Sequence, residues 1–131
     1  MLKIIMMTVL AVLSNNAIAE WTEVGAANNY IAYVDESTIR RDGYLVKMWG
    51  LEDYQSTQKN RSIKYLSEAY QQEFDCKNEQ IKYLAHLQMS DNMGNGNAVA
   101  TSSKQTQWSP FKPGSIGERR WKIACGLLVR F

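Results

Sequence analysis

Residues 64–89 constrain the fold more than any other stretch of the chain. Over 64–76 the even positions carry Leu66, Tyr70, Phe74 and Cys76, while the odd ones carry Ser67, Gln71, Glu73 and Asp75. Lys77-Asn78-Glu79 reads as a tight turn, after which Ile81, Tyr83, Ala85, Leu87 and Met89 alternate with Lys82, Leu84, His86 and Gln88. Side chains leave a strand on opposite faces with period two, so this pattern predicts two long antiparallel strands and sets Cys76 on their buried side. An apolar sheet face needs a cover, and the end of the chain supplies one. Ser115 and Glu118 form a capping box, and Trp121, Cys125 and Leu128 then fall at i, i+4 and i+7 on one stripe. Arg119, Arg120 and Lys122 lie largely off that stripe, and Gly126 ends or loosens the helix. The predicted fold class is α+β, an antiparallel β-sheet with a C-terminal α-helix packed on one face.

The earlier residues add strands to this sheet. Residues 20–24 suggest a short first strand, 25–29 a small-residue turn, and 30–34 a second strand rich in aromatic and β-branched residues. Asp35-Glu36-Ser37-Thr38 breaks that run, because such side chains bond their own backbone in turns. Asp42-Gly43 is the strongest hairpin signal, with 44–54 as the returning strand. Residues 55–62 are polar throughout and read as a mobile connection. The Asn- and Gly-rich 91–97 reads as a flexible turn tolerant of positive φ, and 98–102 as a short edge strand.

Export follows from the first 19 residues. Lys3 supplies a positive start, 4–13 an apolar run, and Ala17-Ile18-Ala19 a small-x-small cleavage pattern, so the expected mature chain begins at Glu20. An apolar run of ten residues is half of the roughly 20 that a permanent membrane helix needs. Removing 19 residues from 131 leaves 112, expected to form a single domain over 20–131 with a formal charge near +1, too small to draw in nucleic acid. Exported cysteines meet oxidising surroundings, and Cys76 with Cys125 is predicted to form a disulfide closing a loop of about 50 residues. Neither cysteine lies at the cleavage site to receive a lipid, so the expected location is periplasmic, secreted or cell-surface without a lipid anchor.

Chemistry finds little purchase in these residues. His86 is the only histidine and reads as structural, and two cysteines with one histidine fall short of a zinc site. Glu52 and Asp53, adjacent on a strand, point to opposite faces and cannot act as a paired acid and base. The sequence contains no glycine-rich phosphate loop, H-E-x-x-H or calcium-loop pattern, so neither a cofactor nor catalysis is expected. Binding is a better prospect. Lys59, Arg61 and Lys64 cluster at the polar connection as candidate partner-binding residues, and Arg119, Arg120 and Lys122 form a second basic group. Four tryptophans and seven tyrosines suit interfaces as well as cores, and a bare second sheet face or open edge would invite homodimer pairing.

These pieces also occur together, in order, in a known family. Trp21-Thr22-Glu23-Val24-Gly25, Tyr33-Val34-Asp35 with Ser37 and Ile39-Arg40-Arg41, Leu51-Glu52-Asp53-Tyr54, Glu73-Phe74-Asp75-Cys76, Trp108-Ser109-Pro110 through Pro113-Gly114-Ser115, and Trp121-Lys122-Ile123-Ala124-Cys125 resemble the bacterial surface-adhesin protein E family. The resemblance implies an antiparallel sheet with a disulfide-tied terminal helix. It further implies a non-enzymatic surface protein that binds host matrix and serum proteins and dimerises through its sheet. The family's lipid-held founding member has a cysteine where this chain has none. Two readings follow: an adhesin-like protein binding extracellular or host-surface proteins through residues 55–64, and a periplasmic module whose partner is another envelope protein.

Overall fold

A computed structural model of the chain describes residues 18–127. The expected leader lies almost wholly outside the described residues, as do Leu128 of the predicted stripe and residues 129–131. β1 (Thr22–Ala26), β2 (Tyr30–Asp42), β3 (Leu45–Asn60), β4 (Ile63–Asp75), β5 (Gln80–Met89) and β6 (Ala98–Ser102) form an antiparallel meander in chain order. β7 (Ser109–Pro110) pairs with the opening residues of β5, while β6 pairs with its end. Two short strands thus share one sheet edge and leave little of it open. Helix α1 (Ile116–Ala124) crosses one face.

The capping box forms as its residues dictate, with Ser115 Oγ accepting from the Glu118 N–H at 3.1 Å. Gly126 closes the helix at φ +71°, which lets the Gly126 and Leu127 N–H groups return to the carbonyls of Ile123 and Lys122. Trp121, Ile123 and Ala124 pack on Val24, Ala32, Val34, Val46, Met48, Phe74 and Ile81, and the Trp121 Nε1–H donates to the Asp75 carbonyl at 2.8 Å. Cys76 and Cys125 are joined as expected. Cys76 is half-buried, one residue beyond the end of β4, so the bridge ties the C-terminus of the helix to a turn rather than to the strand itself.

Three expectations are corrected. Residues 55–62 are not a mobile connection: β3 and β4 continue through them, reversing at Arg61-Ser62, with a register shift between Asp53 and Gln58. Polarity misleads here because most of these side chains are exposed, so the ladder continues without an apolar face to announce it. Asp35 to Thr38 bend β2 without ending it. Asp35 Oδ1 accepts from the Ser37 N–H at 3.0 Å and Thr38 Oγ1 accepts from the Trp49 N–H at 2.9 Å, so side chains carry the pairing across the bulge. In β5 the alternation crosses faces. A shift between Gln71 and Gln72 leaves Leu84 unpaired, so Ile81 and Tyr83 share the helix face with His86 and Gln88, while Ala85, Leu87 and Met89 face the other way.

That second face is partly covered. Residues 91–97 take the expected positive φ at Met93, Gly94 and Gly96, but they are tied down rather than loose. Asp53 Oδ1 accepts from the Met93 N–H at 2.7 Å, and Ser67 Oγ accepts from the Gly94 N–H at 2.9 Å. Leu51 is fully buried beneath this segment, close to Gly94.

Candidate functional site

The β3–β4 hairpin brings the three candidate residues together. Lys59 and Lys64 are direct cross-strand partners and Arg61 occupies the turn between them, all three exposed. Arg61 adopts φ +58°, a left-handed conformation that costs a side-chain-bearing residue about 1 kcal/mol. Like charges directly opposite on a ladder repel. No ion pair among the described residues neutralises any of the three. The outer ribbon from Gln58 to Tyr65 pairs with neither β2 nor β5, whose described pairing stops at Tyr54 and Ser67. It is a cationic ribbon beyond the ladders of β2 and β5, turned back far enough that Asn60 Nδ2 donates to Gln88 Oε1 at 3.4 Å.

The second basic group does not assemble. Arg119 is exposed and reaches the Val24 carbonyl, and Lys122 pairs with Glu118 at 3.3 Å. Arg120 overturns its expected surface place: it is 3% exposed, laid across Gly50, with Nη2 donating to the carbonyls of Tyr33 at 3.3 Å and Leu51 at 3.1 Å. The missing side chain at Gly50 makes the room. A Cβ there would meet the guanidinium at 3.2 Å.

Beyond Arg120 lies a cluster that the residues did not announce. Glu52 and Asp53 do face opposite ways, Asp53 holding the 91–97 segment, but Glu52 faces Glu68 across the ladder. The Tyr54 hydroxyl lies 3.1 Å from Glu52 Oε2 and 3.3 Å from Glu68 Oε2, and the Tyr70 hydroxyl reaches both carboxylates as well. Gln88 Nε2 donates to Glu68 Oε1 at 2.8 Å. His86 sits at the margin, its ring 6.1 Å from that of Tyr70. Burial, reinforced by the adjacent carboxylates, raises the pKa of both tyrosines, so they remain protonated donors.

Burial also lifts the Glu52 carboxyl above its ordinary 4.5, against the opposing pull of Arg120. A carboxyl with a raised folded pKa contributes stability that is complete below pH 4.5 and declines as pH rises through the folded value. Glu52→Gln is therefore expected to flatten the fall in stability above pH 4.5, measured by urea unfolding across pH. An unchanged pH profile would deny the assignment.

Sheet, bridged helix and exposed basic hairpin define the class: a disulfide-stapled α+β domain that presents a charged hairpin. The chain belongs to the surface-adhesin protein E family, whose model matches residues 21–126. The fold is shared with Haemophilus influenzae protein E: its crystal form II has a TM-score of 0.60 at 14% identity, covering 80% of this chain and 96% of that one. Its selenomethionine form gives the same TM-score of 0.60 and 14% identity over 83% and 95%. Protein E from non-typeable Haemophilus influenzae gives 0.58 at 13% identity over 83% and 86%. No protein of curated function matches the chain.

Proposed function

We propose that the protein is an exported, non-enzymatic adhesin-like domain that binds extracellular or host-surface proteins through the Lys59, Arg61 and Lys64 hairpin tip. Residues 1–19 act as the leader, and 20–131 work as one domain. Family membership supports the class. The observation that carries the site is its uncompensated charge: Lys59 opposite Lys64 with Arg61 in a left-handed turn opposes hairpin stability locally. An acidic partner surface offsets that repulsion and speeds encounter.

Stability and binding should then move in opposite directions. Lys59→Glu places an opposite charge across from Lys64 and is expected to stabilise the domain by about 0.5 kcal/mol while weakening partner binding. Calorimetry and binding on the same preparations check both signs, and a variant that gains affinity would refute the site.

A periplasmic module serving another envelope protein is the second reading. Its motivating feature is the sequence around the expected cleavage site, Ala17-Ile18-Ala19-Glu20, which holds no cysteine to take a lipid. Protease shaving of intact cells, with a periplasmic marker as control, separates the two. Digestion from outside supports the adhesin reading. Protection until the outer membrane is breached transfers the function to the periplasm.

A further inference from the structure

The backbone nitrogen of Glu20 and the carboxylate of Asp35 meet where the sheet begins. Thr22 is the Cα partner of Val34, so the residues just ahead of β1 run beside those just after Val34. The Glu20 N–H donates to Asp35 Oδ2 at 3.2 Å. The other oxygen, Oδ1, accepts from the Ser37 N–H at 3.0 Å and from the Ser37 hydroxyl. All of these donors are neutral, yet Asp35 is only 3% exposed. None of the ion pairs among the described residues includes it. A buried carboxylate is costly without a countercharge. The neighbourhood supplies none: Asp35 borders a cavity of about 710 Å³ with Trp21, Trp49, Leu87 and Met89 among its walls, and among the described residues no other ionisable side chain lines it.

Cleavage of the leader places the missing charge on the atom already at hand. The small-x-small pattern of Ala17-Ile18-Ala19 sets the scissile bond between Ala19 and Glu20. Sequence pattern and hydrogen-bond geometry thus single out the same nitrogen by separate routes. Hydrolysis breaks that carbon–nitrogen bond. The oxygen of water joins the Ala19 carbonyl carbon, which departs with the leader as a carboxylate. Both hydrogens of water pass to the Glu20 nitrogen, which becomes an α-ammonium at neutral pH.

Given removal of residues 1–19 as the leader, on which this pairing depends, we propose that the new α-ammonium of Glu20 forms an ion pair with Asp35. Asp35 is then the binding site for the processed N-terminus, and it anchors the start of β1 to β2. A hydrogen bond to a carboxylate from a charged donor is roughly twice as strong as one from a neutral donor, so processing strengthens a contact that the unprocessed chain makes only through an amide. Glu20 is exposed, which leaves the two added N–H groups to water. The pairing shares no residue with the hairpin tip, so partner binding and the ion pair can fail separately.

The protein exported with its own leader provides the test, once mass spectrometry has read its first residue. In a product that begins at Glu20, the Glu20 Cα resonance followed by NMR across pH should show the α-amine keeping its proton down to an about tenfold lower proton concentration than an ordinary chain terminus does. Asp35→Asn, exported in the same way, should return that titration to the ordinary range, which separates Asp35 from the neighbouring Glu20 and Glu36 carboxylates. Selective Nα-acetylation of the parent keeps an N–H at this position but removes its charge, and should lower Tm by about 4 °C. That comparison stands even if Asp35→Asn does not fold. An α-amine in the parent that titrates as an ordinary terminus does, or an acetylated chain as stable as the parent, would overturn the ion pair and leave the leader reading intact. A shifted titration that survives Asp35→Asn would overturn it as well. A product that begins at any other residue would overturn the leader boundary and the pairing together.

Discussion

Replacing both Cys76 and Cys125 with serine is expected to cost the domain roughly 3 to 4 kcal/mol, the largest loss available from any single covalent feature. The bridge spans a sequence separation of 49 residues and so removes much of the unfolded chain's freedom. It also acts on a short helix. Nine residues form few turns and hold little helix on their own, so α1 depends on docking through Trp121, Ile123 and Ala124 and on the tether at its end. For a domain of this size the change corresponds to a fall in Tm on the order of 12 °C. Calorimetry of the parent with and without reductant, beside the double serine variant, measures it. A fall below about 3 °C would mean that packing alone holds the helix.

Arg120→Met is expected to cost about 3 kcal/mol at neutral pH, far more than the exposed Arg119→Met. The methionine keeps the stem packed over Gly50 but withdraws two hydrogen bonds, to the Tyr33 and Leu51 carbonyls, and the cation beside Glu52. Because Arg120 opposes the burial that lifts the Glu52 pKa, its removal raises that pKa further. The sign of the pH effect follows: protonation of Glu52 relieves the loss in acid, and ionisation makes it greatest above the folded pKa. Urea unfolding of parent and variant across pH should show the gap widening as pH rises. A gap independent of pH would place the cost in lost packing and sever the link between helix and carboxylate.

Local patterning was enough to read the meander, the capped helix and the bridge from the residues, because each rests on interactions within a few positions or on a pair of cysteines with no other use. Register was not legible. Counting back from the Arg61-Ser62 turn sets Gln71 opposite Glu52, and only the irregularity between Asp53 and Gln58 brings Glu68 there instead. The carboxylate and tyrosine cluster therefore had no sequence signature. The shift that leaves Leu84 unpaired likewise divides an apparently perfect alternation between two faces. Arg120 was misplaced for a related reason. Helical spacing gives a side chain's direction, but the space that receives its guanidinium comes from a glycine 70 positions earlier, at Gly50. The basic triad was recognisable by composition, whereas its presentation on a two-residue turn depended on strands persisting through polar sequence.

The most direct test of the protein-binding account is surface plasmon resonance of the parent and a Lys59→Glu, Arg61→Glu, Lys64→Glu variant on matrix and serum glycoproteins, at low and physiological ionic strength. The parent should bind saturably and more weakly as salt shortens the screening length to about 8 Å, and the variant should lose that binding with its thermal stability retained. Parent and variant binding alike at every salt concentration would contradict it.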